Sequence, residues 1–147
     1  MQNLHACAVV LGRKGLLITG PSGSGKTELC LALLEHCAVR KIFGWLVSDD
    51  QVFIEERSGR LVVRTPPPIA GLVELRGWEP AAIDHLPAMV ADALVRMVPA
   101  GSVPRFAEAR FERIGGVELP CIDIAGGSAD AGVRAVGGWL GLPPYQA

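Results

Sequence analysis

The sequence predicts an α/β fold built around a phosphate-binding loop, and three observations carry that expectation. Gly20-Pro-Ser-Gly-Ser-Gly25-Lys26-Thr27 satisfies G-x-x-x-x-G-K-[ST] at every required position. A short β-prone run, Leu16-Leu-Ile18, leads into it, and Leu29, Ala32, Leu33 and Cys37 follow at helical spacing. Further apolar β-prone runs recur along the chain, so the loop has a sheet to sit on. Strand, loop and helix in that order is the setting the motif requires.

The loop's chemistry follows from its residue types. Glycines let successive backbone N–H groups turn inward on an anion, and Lys26 can reach β- and γ-phosphates. Thr27 offers a hydroxyl to Mg²⁺, and the helix beginning here directs its positive end at the phosphates, with Glu28 suiting the first turn. The nucleotide-binding set is therefore Gly20, Pro21, Ser22, Gly23, Ser24, Gly25, Lys26 and Thr27. The chain is rich in glycine, with 18 among 147 residues. A chance match is still expected in only on the order of 1% of such chains. A glycine-rich turn with a surface lysine is the weaker reading.

Length and composition narrow the class. The 147 residues suit one domain with a real core, half of them hydrophobic and a fifth charged. A net charge of −1 conceals no long basic stripe; Arg57, Arg60 and Arg64 cluster around an expected hairpin, so nucleic acid is excluded as the main partner. No apolar run reaches membrane-spanning length, and the start MQNLHACAVV has neither a basic region nor a cleavage site. Cys7, Cys30, Cys37 and Cys121 lack C-x-x-C spacing and read as buried free thiols of a cytoplasmic protein.

The elements are expected as follows. Residues 6–11 form a strand, turned by Gly12-Arg-Lys-Gly15 into the loop strand 16–19, and a helix covers about 26–37. Residues 42–47 form a buried strand ending in Ser48-Asp49-Asp50. Residues 51–56 and 60–65 make a hairpin that Pro66-Pro-Pro68 stops. Residues 87–98 have mixed periodicity and fit either helix or strand. A strand over 117–124 and a helix over about 129–140, capped by Ser128 and weakened by Gly137-Gly138, complete the chain.

Phosphoryl transfer also needs a metal and a carboxylate. Asp49 and Asp50 follow an apolar strand, where one can contact Mg²⁺ and the other can take a proton from an attacking hydroxyl. Which does which stays open, and a polar pair opening a turn is the plainer alternative. Glu74 and Arg76 alternate with apolar residues in Gly71-Leu-Val-Glu-Leu-Arg-Gly77, which puts both side chains on one face of a strand. His5 alone says little, and His36 and His85 read as structural.

Taken together these residues resemble the C-terminal catalytic domain of HPr kinase/phosphorylase, in the short form found in some proteobacteria, best over residues 4–78. The resemblance rests on His5 before the first strand, the loop Gly20–Thr27 with Glu28, the pair Asp49-Asp50, and Leu72-Val-Glu74-Leu-Arg76-Gly77. It implies a P-loop fold akin to phosphoenolpyruvate carboxykinase, usually assembled as a hexamer and without the separate N-terminal domain of full-length members. It implies ATP and Mg²⁺ as cofactors and an HPr-like phosphocarrier as partner. Thr27 and Glu74 would contact the metal, and Lys26 the phosphates. The aspartate pair would supply the base for the seryl hydroxyl and return the proton when inorganic phosphate attacks phosphoserine. His5 would tune that carboxylate, and Arg76 would stabilise charge. The chain departs from the family at Trp78-Glu-Pro80, and Val103-Pro-Arg105-Phe106 only faintly echoes the family's downstream basic loop. Those departures keep a second class open, a nucleotide-binding regulator without catalysis, and a small-molecule kinase is a third.

Overall fold

The computed structural model describes residues 1–105 and 108–146. Phe106, the last residue of the faint echo, lies outside them. In chain order the described elements are β1 (Gln2–Leu4), β2 (Ala6–Leu11), β3 (Lys14–Thr19), α1 (Lys26–Val39), β4 (Gly44–Ser48), β5 (Val52–Arg57) and β6 (Arg60–Arg64). There follow β7 (Leu72–Val73), β8 (Ala81–Ala82), β9 (Ala88–Ala91), β10 (Ala93–Val98), β11 (Arg110–Ile114), β12 (Val117–Ala125) and α2 (Ala129–Leu140).

A six-stranded sheet runs β11-β12-β10-β3-β2-β4. Strands β3 and β10 are parallel, as are β10 and β12, whereas β2 is antiparallel to both β3 and β4. Strands β3, β4, β10 and β12 therefore share one direction and end at the same edge. Strand β2 runs the other way, so its beginning lies at that edge, with Ala6 opposite Thr19. This mixed topology brings the end of β3, the end of β4 and the residue before β2 together.

Both faces of this sheet's central strands are covered, which is why β2 and β3 read as nearly continuous apolar runs. On one side Cys7, Val9, Leu11, Leu16 and Ile18 pack with Leu29, Cys30, Leu33 and Cys37 of α1 and with Val133 and Val136 of α2. On the other side Ala6, Ala8, Leu17, Val47 and Leu94 meet the second sheet, β1-β5-β6-β9, through Val52, Ile54, Leu61 and Val63. Leu16, Leu17 and Ile18 are completely buried. Each such side chain contributes roughly 1.5–3 kcal/mol, so the strand feeding the glycine loop is firmly held.

Several expectations are borne out and several are corrected. The first strand, the hairpin and the C-terminal helix appear where expected, and Ser128 does cap α2 through the Ala131 N–H at 3.2 Å. The open segment 87–98 is two strands, β9 in one sheet and β10 in the other, with Asp92 between them. Strand β3 begins at Lys14, inside the expected turn. Helix α1 runs two residues past its expected end, to Val39, and β4 starts at Gly44 rather than at 42. The expected strand through Glu74 and Arg76 stops at Val73. A turn follows, with Trp78 N–H donating to Leu75 O and Gly77 at φ 83°.

Three strands carry no readable signal, among them the two-residue β8. β1 is three residues long and, among the described residues, pairs only with β5. β11 is an edge strand carrying Arg110, Glu112 and Arg113, a charge density that hides strand periodicity and protects an edge from further pairing. It is tied across the sheet by Arg110 to Asp123 at 2.9 Å and Glu112 to Arg96 at 3.5 Å.

Gly15 locks the crossing between the sheets. Its N–H donates to the Asp92 carboxylate at 2.8 Å, and Asp92 N–H donates back to Gly15 O at 2.7 Å. A Cβ at Gly15 would lie 2.0 Å from the Val90 carbonyl oxygen. Gly15→Ala should therefore lower stability by at least ~1–3 kcal/mol in a urea titration. Gly12→Ala, where a Cβ would meet nothing within 4 Å but φ is 62°, should cost less, about 1 kcal/mol.

Candidate active site

The loop between β3 and α1 has the backbone its sequence requires. Gly23 and Gly25 adopt φ of 78° and 99°, values that glycine reaches without strain. Gly20 is at φ 154°, and a Cβ there would lie 2.6 Å from Ser24 Oγ and 2.8 Å from Met97 Cβ. Gly25 is the N-cap of α1 and supplies no side-chain cap. The first-turn N–H groups of α1 consequently face the loop, as an anion site needs. Lys26 is nearly buried, and its ammonium donates to Gly20 O at 2.8 Å and Pro21 O at 3.1 Å.

The two aspartates after β4 have different surroundings. Asp49 is 8% exposed and accepts three hydrogen bonds. Thr27 Oγ1 donates to its Oδ1 at 2.8 Å, Cys7 Sγ to the same oxygen at 3.2 Å, and Glu74 N–H to Oδ2 at 3.1 Å. Asp50 is exposed, in a left-handed conformation (φ 72°), and its carboxylate meets His5 Nε2. Its backbone is fixed to the start of β2: Ala6 N–H donates to Asp50 O at 3.1 Å, and Asp50 N–H reaches Cys7 Sγ at 3.4 Å.

A polar cavity of about 280 Å³ lies against the loop. Ser22, Gly23, Gly25, Lys26 and Thr27 form one wall, and Asp50, Glu74 and Arg76 face them. A second cavity of about 610 Å³ shares Gly23, Gly25, Glu28 and Arg76 with the first and is walled by Leu29, Leu75, Met97 and Ile124. Of the expected site residues, Asp50, Glu74, Arg76, Lys26 and Thr27 converge on one space. Asp49 stands behind Thr27 and His5 behind Asp50. Glu74 and Arg76 reach the cavity from an irregular segment rather than from one strand face. His36 and His85 line neither cavity: His36 Nε2 pairs with Pro143 O at 2.8 Å and His85 Nδ1 with Ile83 O at 3.2 Å.

A solved structure of the Hpr(Ser) kinase/phosphatase from Coxiella burnetii superimposes with a TM-score of 0.73, covering 85% of this chain and 86% of that one at 24% identity. The chain has the fold of that kinase/phosphatase. HPr kinase/phosphorylase of Clostridium beijerinckii is 35% identical over 98 residues, and that of Clostridium perfringens is 42% identical over 74. These alignments cover 65% and 50% of this chain but only 30% and 22% of the relatives, so the likeness spans under a third of their length. No family model matches the chain.

Two further residues belong to the site. Glu28, taken as a helix-dipole partner, lines both cavities. Cys7 is a buried free thiol, as expected, and it also touches both aspartates. The spacing that would reveal Cys7 is its place two residues after His5 in β2. All four cysteines are buried and free. Burial, and then the charge of Asp49, pushes the Cys7 thiol up to about 12, and burial likewise raises Cys30, Cys37 and Cys121.

Such thiols stay protonated in the fold and form thiolates only when the chain opens. Native protein at pH 8 should react with a thiol reagent at well under one equivalent, and urea-unfolded protein at four, one for each free cysteine. Because the folded thiols hold protons that unfolded ones release, stability should fall as pH rises above about 9 towards 12. Urea midpoints measured across that range check the sign.

Proposed function

We propose that this chain is an ATP- and Mg²⁺-dependent protein serine kinase acting on an HPr-like phosphocarrier, with residues 1–147 working as one P-loop kinase domain. The convergence of Lys26, Thr27, Asp50, Glu74 and Arg76 on one polar cavity carries the reading. The named likeness to HPr kinase/phosphorylases supplies the substrate class.

Each residue then has a task. The loop amides and Lys26 bind the β- and γ-phosphates, giving up the lysine's present bonds to Gly20 O and Pro21 O. The neighbouring apolar cavity receives the nucleoside. Thr27 donates its proton to Asp49, which leaves its oxygen lone pairs free to face a cation, and Glu74 adds a carboxylate. Two hard oxygen donors beside a polyphosphate fit Mg²⁺, which is commonly held by few protein ligands plus substrate phosphates. When bound, Mg²⁺ neutralises charge on the transferred phosphoryl group.

Asp50, not Asp49, is the base in this reading. Asp49 already accepts three bonds and does not line the cavity, whereas Asp50 does. Asp50 takes the seryl proton as the hydroxyl oxygen attacks the γ-phosphorus of ATP and ADP leaves with the bridging oxygen, His5 orienting the carboxylate. In the phosphorylase direction the same carboxylate returns the proton to the seryl oxygen as phosphate attacks phosphoserine. Arg76 balances charge on the phosphoryl group in flight. A cytoplasmic location and a homo-oligomer, a hexamer by family likeness, belong to the same reading; nucleic acid and membrane do not.

Incubation with labelled ATP, Mg²⁺ and the phosphocarrier of the same organism should label a carrier serine. Lys26→Ala should weaken nucleotide binding at least about tenfold by calorimetry. Asp50→Asn should lower kcat by about 10²–10⁴-fold with nucleotide affinity within a few-fold. Asp49→Asn should instead raise the Mg²⁺ concentration needed for half-maximal rate. An unlabelled carrier, when a full-length relative labels it, would sink the kinase assignment; nucleotide binding surviving alone would leave a regulator.

A further inference from the structure

Strand β2 alternates so that Cys7, Val9 and Leu11 point to the helix-covered core. All three are completely buried. Val9 and Leu11 need only apolar neighbours. Cys7 is at the end of the row nearest the site, where the apolar core gives way to Asp49 and Thr27. A side chain there must be small and apolar on one side and hydrogen-bond on the other, which a thiol does.

The thiol makes two contacts of opposite sense. Its S–H donates to Asp49 Oδ1 at 3.2 Å, and its sulfur accepts the Asp50 N–H at 3.4 Å. Held neutral by burial, it remains a donor throughout the physiological range. Asp50 is in the left-handed region, which a non-glycine residue keeps only when its surroundings hold it there. Ala6 N–H fixes the Asp50 carbonyl and His5 its carboxylate, so Cys7 completes a three-point clamp from successive residues of one chain segment.

We propose that Cys7 is a positioning residue: its thiol joins the buried carboxylate of Asp49 to the backbone of Asp50 and sets the angle at which Asp50 enters the phosphate cavity. Its consequence for rate rests on the kinase reading; its hold on the two aspartates does not. Removing it would leave the Asp49 carboxylate a donor short and the Asp50 N–H without this acceptor, while every group that touches nucleotide or acceptor is still present. Such a loss acts on geometry at the reacting atoms, where small misplacements are costly.

Two near-isosteric substitutions separate positioning from packing. Cys7→Val keeps an apolar, buried side chain and removes both hydrogen bonds; Cys7→Ser keeps a donor and an acceptor but is the poorer core residue. Positioning predicts that Cys7→Val lowers kcat about 10- to 100-fold with the KM for ATP within about threefold, and that Cys7→Ser stays within about threefold of the wild-type kcat. It also predicts that the Asp50 amide proton exchanges at least about tenfold faster in Cys7→Val and near the wild-type rate in Cys7→Ser, read by NMR. Packing alone predicts the reverse order, with Cys7→Ser the more damaged in both, and that order overturns the proposal. If the wild type transfers no phosphate, the kinase reading falls, and the amide exchange still decides for or against Cys7.

Discussion

The buried carboxylate of Asp49 is the constraint on which the rest of the site depends. A carboxylate nearly out of reach of water is tolerable only when its oxygens are satisfied. Here the donors come from three separate places: Thr27 at the start of α1, Cys7 in β2 and the backbone of Glu74. One charged group thereby joins the helix, the central sheet and the irregular segment after β7. Remove any of these and the others lose their common reference point.

That node accounts for several features that otherwise look unrelated. The segment after Val73 leaves the β conformation because the Glu74 N–H is given to Asp49 rather than to a neighbouring strand. Thr27 lines the cavity while its hydroxyl donates to Asp49. Asp50, one residue on, cannot share the same space and adopts a left-handed backbone that carries its side chain to the cavity and to His5. A single buried charge thus divides the labour between two adjacent aspartates.

The fold supplies the edge on which this happens. Because β2 is antiparallel to both neighbours, the residue before it lies at the same edge as the ends of β3 and β4. In a wholly parallel sheet His5 would be a strand's length away from Asp50. Both faces of the sheet are packed, by helices on one side and by the second sheet on the other, so the edge is a rigid platform. The superposition on the Coxiella kinase/phosphatase shows that the two chains share a fold.

The amino-acid sequence determined the glycine loop, its strand–loop–helix setting and the identity of the residues around it, since these depend on local backbone geometry and spacing that a linear pattern records. It also located the hairpin and the capped C-terminal helix. It did not reveal β1 or the charged edge strand β11, whose pairing is decided by partners distant in the chain. Nor did it resolve 87–98, where Asp92 hands the chain from one sheet to the other. Above all, the different fates of Asp49 and Asp50 were unreadable. Adjacent identical residues carry the same local signal, and only the tertiary placement of Cys7, Thr27, Glu74 and His5 distinguishes the carboxylate that organises the site from the one that faces its cavity.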